Sequence, residues 1–398
     1  MSTRDLVVFA EDWASHPSST QHLIKRLSEQ YRVLWVNSIG LRRPRFSVTD
    51  MRRVYRKLHS MLAGQVSAES ASTHAGSIHV LKPRVISWPG SRVAAALNRR
   101  LLGRQLRHAM ASLGMSRPLV WTSLPSAIEV LDELDPSAVI YYCGDDFSAL
   151  AGVDHAPVAR QEARLLERAD LILAASETLA ERFPVAKTHC LPHGVDTQHF
   201  AFKQWSRPVD LPAGKPIAGF YGSLSNWLDQ AMLKQVAQAL PDWNIVLIGP
   251  RHCNIDTLLR EPNITWLGPK AHQALPAYVQ HWQVSLLPFV DNAQIRACNP
   301  LKLREYLASG KPMVSTAFPA VMEYRDSLHL ADTAEHFARA IVTAAVDAPA
   351  LGEQWLERLN DWQSVRRLAQ AAERRQACVH SDSWEQRAGV LAGLLRAL

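Results

Sequence analysis

Hydrophobic residues in the first half of the chain alternate between short continuous runs and stretches with helical spacing. Amphipathic stretches at 19–30, 91–113 and 156–168 predict helices. Apolar runs that are separated by helices are typical of a parallel sheet covered on both faces. These runs predict strands at 5–10, 32–37, 77–81, 118–122, 138–143, 170–175 and 188–191.

The same alternation begins again after residue 213. It predicts strands at 216–221, 244–248, 263–266, 283–287 and 312–316, and helices at 227–240, 273–281, 300–309 and 333–347. The stretch 194–215 contains prolines, glycines and little periodicity, which indicates a linker. A chain of 398 residues has room for two domains, which we place at 1–197 and 198–382. We expect an α/β protein of two doubly wound, Rossmann-like domains facing across a cleft, where such folds bind ligands.

Composition narrows the class of protein. With 47% hydrophobic residues the chain is not disordered, and no apolar run reaches the roughly 18 residues of a membrane-spanning helix. The first 13 residues are typical of a first strand rather than a secretory signal. Five widely spaced cysteines suggest no disulfide framework, so the cytosol is favoured. The sixteen histidines form no HExxH motif or Cys/His cluster, so we expect no catalytic metal.

Charge is distributed unevenly along the chain. Residues 1–117 contain 19 Lys/Arg and 6 Asp/Glu, whereas the remainder contains 25 and 31. A basic first third predicts an anionic partner, for which nucleic acid, anionic lipid and a phosphorylated substrate are the candidates. No base-stacking motif accompanies this charge, so we rank nucleic acid last and predict no nucleic-acid partner.

The densest basic segment lies at 42–57. Apolar residues recur at helical spacing from Met51 to Leu62 beside its cationic face, as in an interfacial helix. Each Lys or Arg near an anionic leaflet contributes about 1 kcal/mol of attraction. We therefore predict a peripheral location at the cytoplasmic face of the membrane. An ordinary helix packed on the sheet, with a solvated basic face, is the alternative. The predicted membrane-facing residues are Arg52, Arg53, Arg56 and Lys57.

The stretch 298–312 carries the clearest chemistry. Asn299 suits the N-cap of a helix, and Pro300 suits the first helical position. The free N–H groups and the dipole of such a helix end suit a phosphate, and Lys302 adds a full charge. Glu305 lies on the same face, where its carboxylate can accept two hydroxyl hydrogen bonds, as a ribose offers. The alternative is an ion pair between Lys302 and Glu305 on a solvated face.

With its neighbours, this stretch resembles the nucleotide-sugar signature of GT-B glycosyltransferases, most closely the retaining enzymes of bacterial surface polysaccharide synthesis. The resemblance implies a UDP- or GDP-sugar donor, with Glu305 on the ribose and the 300–309 helix facing the diphosphate. It also implies that a C-terminal helix, 383–398, packs back on the first domain. The matching pieces are LPHGVD (191–196), GFYGSL (219–224), ALPDWNIVLIGP (239–250), NITWLG (263–268), LPAYVQHWQVSLLPF (275–289), KLREYLASGKPMVST (302–316) and SWEQRAGVL (383–391).

Two positions depart from the family pattern. Ala297 stands where the family usually has a second Glu, and residues 222–227 lack the usual Arg and Lys. The diphosphate charge must then be met by Lys302, Arg296 and backbone N–H groups near Gly222 and Ser223. The donor sugar and the choice between retention and inversion stay open. A helix dipole and a cation can stabilise the leaving diphosphate, so no divalent ion is required.

Polar residues directly after the first strand are candidates for the acceptor side. A Trp beside carboxylates suits a sugar ring, which offers an apolar face and hydroxyl groups. The alternative is a helix-capping loop in which Trp13 serves as packing. The candidate acceptor-binding residues in this loop are Glu11, Asp12, Trp13 and His16.

Two further stretches are interpreted through the resemblance. The stretch VIYYCGDDFSAL (139–150) resembles the matching loop of the inverting glucuronosyltransferases of xanthan assembly, which makes Asp145 the candidate general base. If the reaction retains configuration, Asp145 binds the acceptor instead, with Asp146 beside it. A cap and a solvated partner are the alternative for this acid pair. His193 would lie in the interdomain junction near the donor, or would be a loop histidine with a backbone partner.

We therefore expect a glycosyltransferase that transfers a sugar from a nucleotide-diphosphate sugar to a saccharide acceptor, which is lipid-linked, in exopolysaccharide or cell-surface glycan synthesis. One alternative is an epimerase of nucleotide-linked N-acetyl sugars with the same fold. Another is a degenerate, non-catalytic scaffold, which Ala297 and the missing Arg/Lys pair favour.

Overall fold

The computed structural model describes residues 4–13, 17–38, 69–72, 77–84, 92–149, 154–201, 205–348 and 362–398. The chain forms two compact units, Met1–Pro192 with Ala388–Leu398, and His193–Arg387. The first unit ends before the predicted boundary at 197, because the Val195 N–H donates to the Asp382 carbonyl at 2.9 Å and so ties this stretch to the second unit. The predicted membrane-facing residues Arg52, Arg53, Arg56 and Lys57 lie outside the described residues.

The first unit is built on an eight-stranded sheet. Its strands are β1 Arg4–Phe9, β2 Tyr31–Val36, β3 Glu69–Ser72, β4 Ser77–Leu81, β5 Leu119–Thr122, β6 Ala138–Cys143, β7 Leu171–Ala174 and β8 Thr188–Cys190. Their order is β3-β4-β2-β1-β5-β6-β7-β8, and β3 runs antiparallel to β4. The seven strands predicted for this half are confirmed. β3 escapes the prediction because its residues, ESAS, form no apolar run.

Helices connect the parallel strands of this sheet. The first of them begins after Ser18, whose hydroxyl accepts the Gln21 N–H at 3.1 Å. It buries Leu23, Ile24 and Leu27, which recur at helical spacing. Within the described ranges, the α-helices of the first unit are α1 Ser19–Leu27, α2 Arg92–Ser112, α3 His155–Arg168 and α4 Glu177–Ala180.

The second unit is built on a six-stranded sheet. Its strands are β9 Ile217–Tyr221, β10 Asn244–Ile248, β11 Ile264–Trp266, β12 Val284–Leu287, β13 Met313–Ser315 and β14 His329–Leu330. Their order is β11-β10-β9-β12-β13-β14, and neighbouring strands run parallel. The five strands predicted here are confirmed. The edge strand β14 spans two residues, too few to show a pattern.

Helices of the second unit follow its strands, and the last helix runs on into the C-terminal part of the first unit. The predicted helix at 300–309 is observed as an eight-residue helix. The α-helices that the structure describes here are α5 Thr197–Phe200, α6 Gln230–Ala239, α7 Leu275–His281, α8 Ala293–Ala297, α9 Leu301–Ala308, α10 Pro319–Met322, α11 Ala334–Ala345, α12 Trp362–Cys378 and α13 Trp384–Arg396.

The central strand β9 lies in a close-packed core. All five of its residues are buried, and its Gly219 faces Trp282. A Cβ at Gly219 would come within 1.9 Å of the Trp282 ring, so the backbone and the indole touch directly. The buried Trp282 N–H donates to the Ser285 hydroxyl at 3.0 Å, which satisfies its polar group. Close packing on this scale makes β9 a rigid support for the residues at its end.

Candidate functional site

The carboxyl end of β9 is where the order of the second sheet reverses. The chain leaves β9 toward β10 on one side, whereas β12 flanks β9 on the other. Doubly wound sheets bind ligands at the carboxyl ends of the strands that flank such a switch point. Tyr221 is the last residue of β9, and Gly222 and Ser223 follow it. The second unit therefore has its expected ligand position beside these three residues.

Glu305 of α9 lies at this strand end. It is 9% exposed, so a solvated face, the alternative predicted for it, is wrong. The Tyr221 hydroxyl donates to one carboxylate oxygen at 2.5 Å, and His272 Nε2 lies 3.1 Å from the other. A carboxylate oxygen has two lone pairs, so each oxygen keeps one for a further donor. The carboxylate is held from two sides and can still accept ligand hydroxyl groups.

Lys302 of α9 extends over the loop that follows β9. Its ammonium lies 5.7 Å from the centre of the Phe220 ring and 5.5 Å from that of Phe289, within the range of cation–π attraction. A Cβ at Gly222 would come within 2.6 Å of the Lys302 side chain. The structure therefore places Lys302 against Gly222, the residue that follows the Tyr221 whose hydroxyl holds Glu305.

Two glycines allow the loops at this edge to touch. Gly222 has φ +141° and Gly249, which follows β10, has φ +138°, a conformation that other residues rarely adopt. A Cβ at Gly249 would come within 1.9 Å of the Gly222 carbonyl oxygen. The path of the loop that carries Gly222 and Ser223 depends on both glycines.

The start of α9 differs from the prediction by one residue. The N-cap is Pro300 rather than Asn299, and Pro300 makes no side-chain capping hydrogen bond. The Asn299 side chain instead accepts a hydrogen bond from Arg304, a buried cation that needs acceptors. The predicted N-cap role of Asn299 is therefore wrong, although it does precede the helix end that was predicted to face a phosphate.

The other donor-side residues are less closely tied to this edge. Arg296 of α8 forms a two-point ion pair with Asp291, with both N–O distances at 2.6 Å and both side chains exposed. It would have to leave that pair to bind a diphosphate. Burial, with the positive charges of Arg304 and Arg387, lowers the pKa of His193 to about 3. His193 is therefore neutral at physiological pH and supplies no charge to an anion.

In the first unit, the loop after β1 caps a helix. Glu11 accepts hydrogen bonds from Ser18, the N-cap of α1, and from Gln21 Nε2, the latter at 3.0 Å. Trp13 packs edge-on against Trp35, with ring centres 4.8 Å apart. These are the contacts that the capping-loop alternative predicted. Asp12 accepts the Ser38 N–H at 3.1 Å, and His16 lies outside the described residues. Acceptor binding by this loop stays a prediction.

The two acids after β6 have different surroundings. Asp146 is buried and accepts hydrogen bonds from Arg182 and from the Ser148 N–H and hydroxyl, the Ser148 bonds at 2.9 and 2.5 Å. Burial raises the pKa of Asp146, but the hydrogen bonds from Ser148 and Arg182 outweigh that effect and leave its pKa below the usual range. Asp145, in contrast, is exposed. Of the pair, Asp145 is the acid that a second molecule can reach.

Sequence reasoning missed the two side chains that hold Glu305. Tyr221 could have been found, because it ends a strand at the switch point of the sheet. His272 begins a short 3-10 helix, His272–Ala274, before α7, and nothing in the local pattern relates it to a residue 33 positions away. Over the described ranges, no group of three His, Cys, Asp or Glu residues could hold a metal ion. No helix in this part of the chain combines the length and hydropathy needed to cross a bilayer.

Comparison with known proteins bears on the same region. Residues 215–347 match the family model "Glycosyl transferases group 1". This segment contains β9 to β14 and includes Gly222, Lys302 and Glu305. The strand end described above therefore lies in the part of the chain that carries the family pattern.

One curated relative extends this similarity. TuaH of Bacillus subtilis (strain 168), named as a glycosyltransferase of teichuronic acid biosynthesis, is 29% identical over 230 residues. The match covers 53% of this chain and 58% of that protein, so the chain spans less than three fifths of the relative that it matches.

Solved structures show the fold over the whole chain. Anabaena HepE in complex with UDP and glucose has a TM-score of 0.64 and 14% identity, and the match covers 99% of both chains. Sucrose-phosphate synthase from Thermosynechococcus elongatus has a TM-score of 0.66 and 15% identity, with 99% and 98% covered. At such identities the likeness concerns the fold alone. The predicted fold class, two parallel-sheet α/β domains of the GT-B type, is confirmed.

Proposed function

We propose that this protein is a glycosyltransferase that uses a nucleotide-diphosphate sugar as donor in cell-surface glycan synthesis. The observation that carries the proposal is the grouping of Lys302, Glu305 and the start of α9 at the end of β9, within the segment that matches the glycosyl transferase family. The fold neighbour HepE has been solved with UDP and with UDP-glucose, and TuaH is named for teichuronic acid biosynthesis. The HepE complexes support a nucleotide-sugar donor, and the name of TuaH supports a cell-surface glycan product.

On the donor side, Glu305 accepts the ribose hydroxyls with the lone pairs that Tyr221 and His272 leave. Lys302 and the N–H groups at the start of α9 stabilise the negative charge that develops on the departing diphosphate. Backbone groups at Gly222 and Ser223 complete the diphosphate site. Because a cation and a helix dipole meet this charge, we propose that no divalent ion is obligatory.

On the acceptor side, we assign Asp145 as the general base of an inverting reaction. The acceptor hydroxyl oxygen attacks the anomeric carbon, the bond from that carbon to the diphosphate oxygen breaks, and the hydroxyl proton passes to Asp145. The exposed position of Asp145 supports this role, because an acceptor can reach it. Glu11, Asp12, Trp13 and Asp146 are then candidates for acceptor binding and loop geometry.

We further propose that the acceptor is lipid-linked and that the basic segment 42–57 holds the protein at an anionic membrane face. The excess of Lys and Arg in residues 1–117 supports this location. Replacing Arg52, Arg53, Arg56 and Lys57 with Ser should release the protein from vesicles of phosphatidylglycerol and phosphatidylcholine. Equal sedimentation of the variant and the wild type would contradict the membrane contact.

Nucleotide binding tests the donor proposal directly. We expect UDP or GDP to raise the melting temperature of the wild type, because a ligand that binds the folded state stabilises it by mass action. Glu305→Ala should weaken that binding by roughly tenfold or more, since hydrogen bonds to a charged group are worth about 1.5–3 kcal/mol. The matched control is Glu335→Ala, whose carboxylate on α11 is 72% exposed and pairs with Arg339.

The outcomes separate the alternatives. Absence of binding by either nucleotide would favour a non-catalytic scaffold. Conversion of a nucleotide sugar to its epimer without an acceptor would favour an epimerase. Unchanged affinity in Glu305→Ala would remove Glu305 from the site.

A further inference from the structure

A buried ionic network begins at Arg304, which lies between Lys302 and Glu305 in the sequence of α9. Arg304 is 1% exposed, and its Nε donates to Asp382 at 3.0 Å. The Tyr324 ring lies 5.4 Å from the centre of the guanidinium group. Isolation of such a charge from water is costly unless it is paired, so Arg304 depends on these partners.

Asp382 is the centre of this network. Its carboxylate also accepts the Tyr324 hydroxyl at 2.5 Å and Arg387 at 2.6 Å. Its backbone carbonyl accepts the Val195 N–H at 2.9 Å. A single residue thus joins α9, the beginning of the second unit and the first turns of α13.

Arg304 transmits this anchoring to the start of α9. It donates a hydrogen bond to the side chain of Asn299, which is 7% exposed and directly precedes the N-cap Pro300. Pro300 offers no polar side chain to fix its own position. Asn299 and Arg304 therefore hold, from within the molecule, the residue that leads into the first turn of α9 and its N–H groups.

We propose that Asp382 is a positioning residue for the diphosphate of the donor, acting through Arg304 and Asn299. The inference rests on the proposed function, because it takes the start of α9 to be the diphosphate site. A buried ion pair often stabilises a protein no more than apolar residues of similar volume do. We therefore explain the pair of Arg304 and Asp382 by the position that it gives to Asn299, rather than by a gain in stability. Displacement of a binding group by about 1 Å can cost two orders of magnitude in rate, which makes such positioning consequential.

A double variant separates positioning from folding. Arg304→Met with Asp382→Asn removes both charges of this ion pair together, so that neither of the two is left as a buried unpaired charge. Arg387, which also pairs with Asp382, keeps its charge and is only partly buried. Arg339→Met with Glu335→Gln removes an exposed ion pair on α11 and serves as the matched control. Calorimetry compares the affinities for UDP and GDP with those for uridine and guanosine. Melting temperatures show whether each variant is folded. Tyr221 and His272 hold Glu305 independently of the network, so nucleoside affinity serves as the internal reference.

We expect the double variant to bind the diphosphate at least about tenfold more weakly, with nucleoside affinity within about twofold of wild type. Equal losses for diphosphate and nucleoside, or no loss of diphosphate affinity, would overturn the inference. If the double variant fails to fold, Asp382→Asn alone is held to the same comparison at a temperature where it is folded. Failure of the wild type to bind either diphosphate would overturn the proposed function and this inference with it, whereas normal wild-type binding with an unaffected variant overturns the inference alone.

Discussion

At the scale of single residues, neighbouring acids of the same type differ in their burial and in their hydrogen-bond partners. The carboxylate of the buried Asp146 accepts hydrogen bonds from Arg182 and Ser148, whereas Asp145 beside it is exposed. Likewise, Glu305 is buried between Tyr221 and His272 rather than solvated. The residue types alone do not distinguish these cases, because the distinction depends on hydrogen-bond partners.

This difference predicts that substitution of Asp145 affects sugar transfer, whereas substitution of Asp146 affects stability. Asp145→Asn should reduce transfer by at least about two orders of magnitude, since general base catalysis contributes about 10²–10⁴-fold, while donor binding stays normal. Asp146→Asn should instead lower stability, because it weakens the ion pair with Arg182. Product formation from a labelled nucleotide sugar and urea denaturation measure the two effects. Turnover near the wild-type rate in Asp145→Asn would sink the base assignment.

At the scale of elements, the loops after β9 and β10 touch each other directly through their backbones. Gly249 has no room for a side chain, because a Cβ there would collide with the Gly222 carbonyl, a backbone atom that cannot rotate away. Gly268 also has a positive φ, +72°, but a Cβ added there would meet no heavy atom within 4 Å. Substitution of Gly268 therefore tests backbone strain alone, whereas substitution of Gly249 adds a steric collision.

We expect Gly268→Ala to lower the free energy of unfolding by about 1–2 kcal/mol, the strain of a left-handed alanine. Gly249→Ala should cost clearly more, and should also weaken nucleotide binding because the Gly222 loop must shift. Urea denaturation and UDP or GDP titration of both variants measure these effects. Equal stability of the two variants would show that the loops can separate without cost.

At the scale of the whole molecule, a buried lysine links stability to pH. Lys311 is 1% exposed, and burial, together with the charge of Arg375, lowers its pKa from 10.5 to about 7. Between these two values the unfolded chain binds a proton that the folded protein does not. The free energy of unfolding therefore rises with pH from about 7 to about 10.5 on account of this group.

Lys311→Met should abolish that contribution. Relative to the wild type, the variant should be the more stable at pH 7, and the difference should shrink as the pH rises to 10. Urea denaturation at the two values measures it, and Lys234→Met, which removes a partly exposed lysine, is the control. A difference between wild type and Lys311→Met that does not change with pH would contradict the assignment.

Much of the architecture follows from local pattern. Apolar runs and amphipathic stretches predicted twelve of the strands and the helix at α9, because periodicity is a property of neighbouring residues. The spacing of Lys302 and Glu305 also placed them on one face of one helix, whatever that helix packs against. The strands β3 and β14 were missed because one is polar and the other is two residues long.

Contacts between distant parts of the chain were decided by the tertiary structure. Asn299 has the composition of an N-cap, yet the buried Arg304 engages its side chain, and Asp382 in turn holds Arg304 from 78 positions away. Tyr221 and His272 meet at Glu305 in the same manner, across 84 and 33 positions. The sequence by itself determined the strands, the helices and the residue types at the end of β9, because these depend on local spacing. Only the folded chain decided which partners hold them, because most buried polar groups need a hydrogen-bond partner, wherever that partner lies in the sequence.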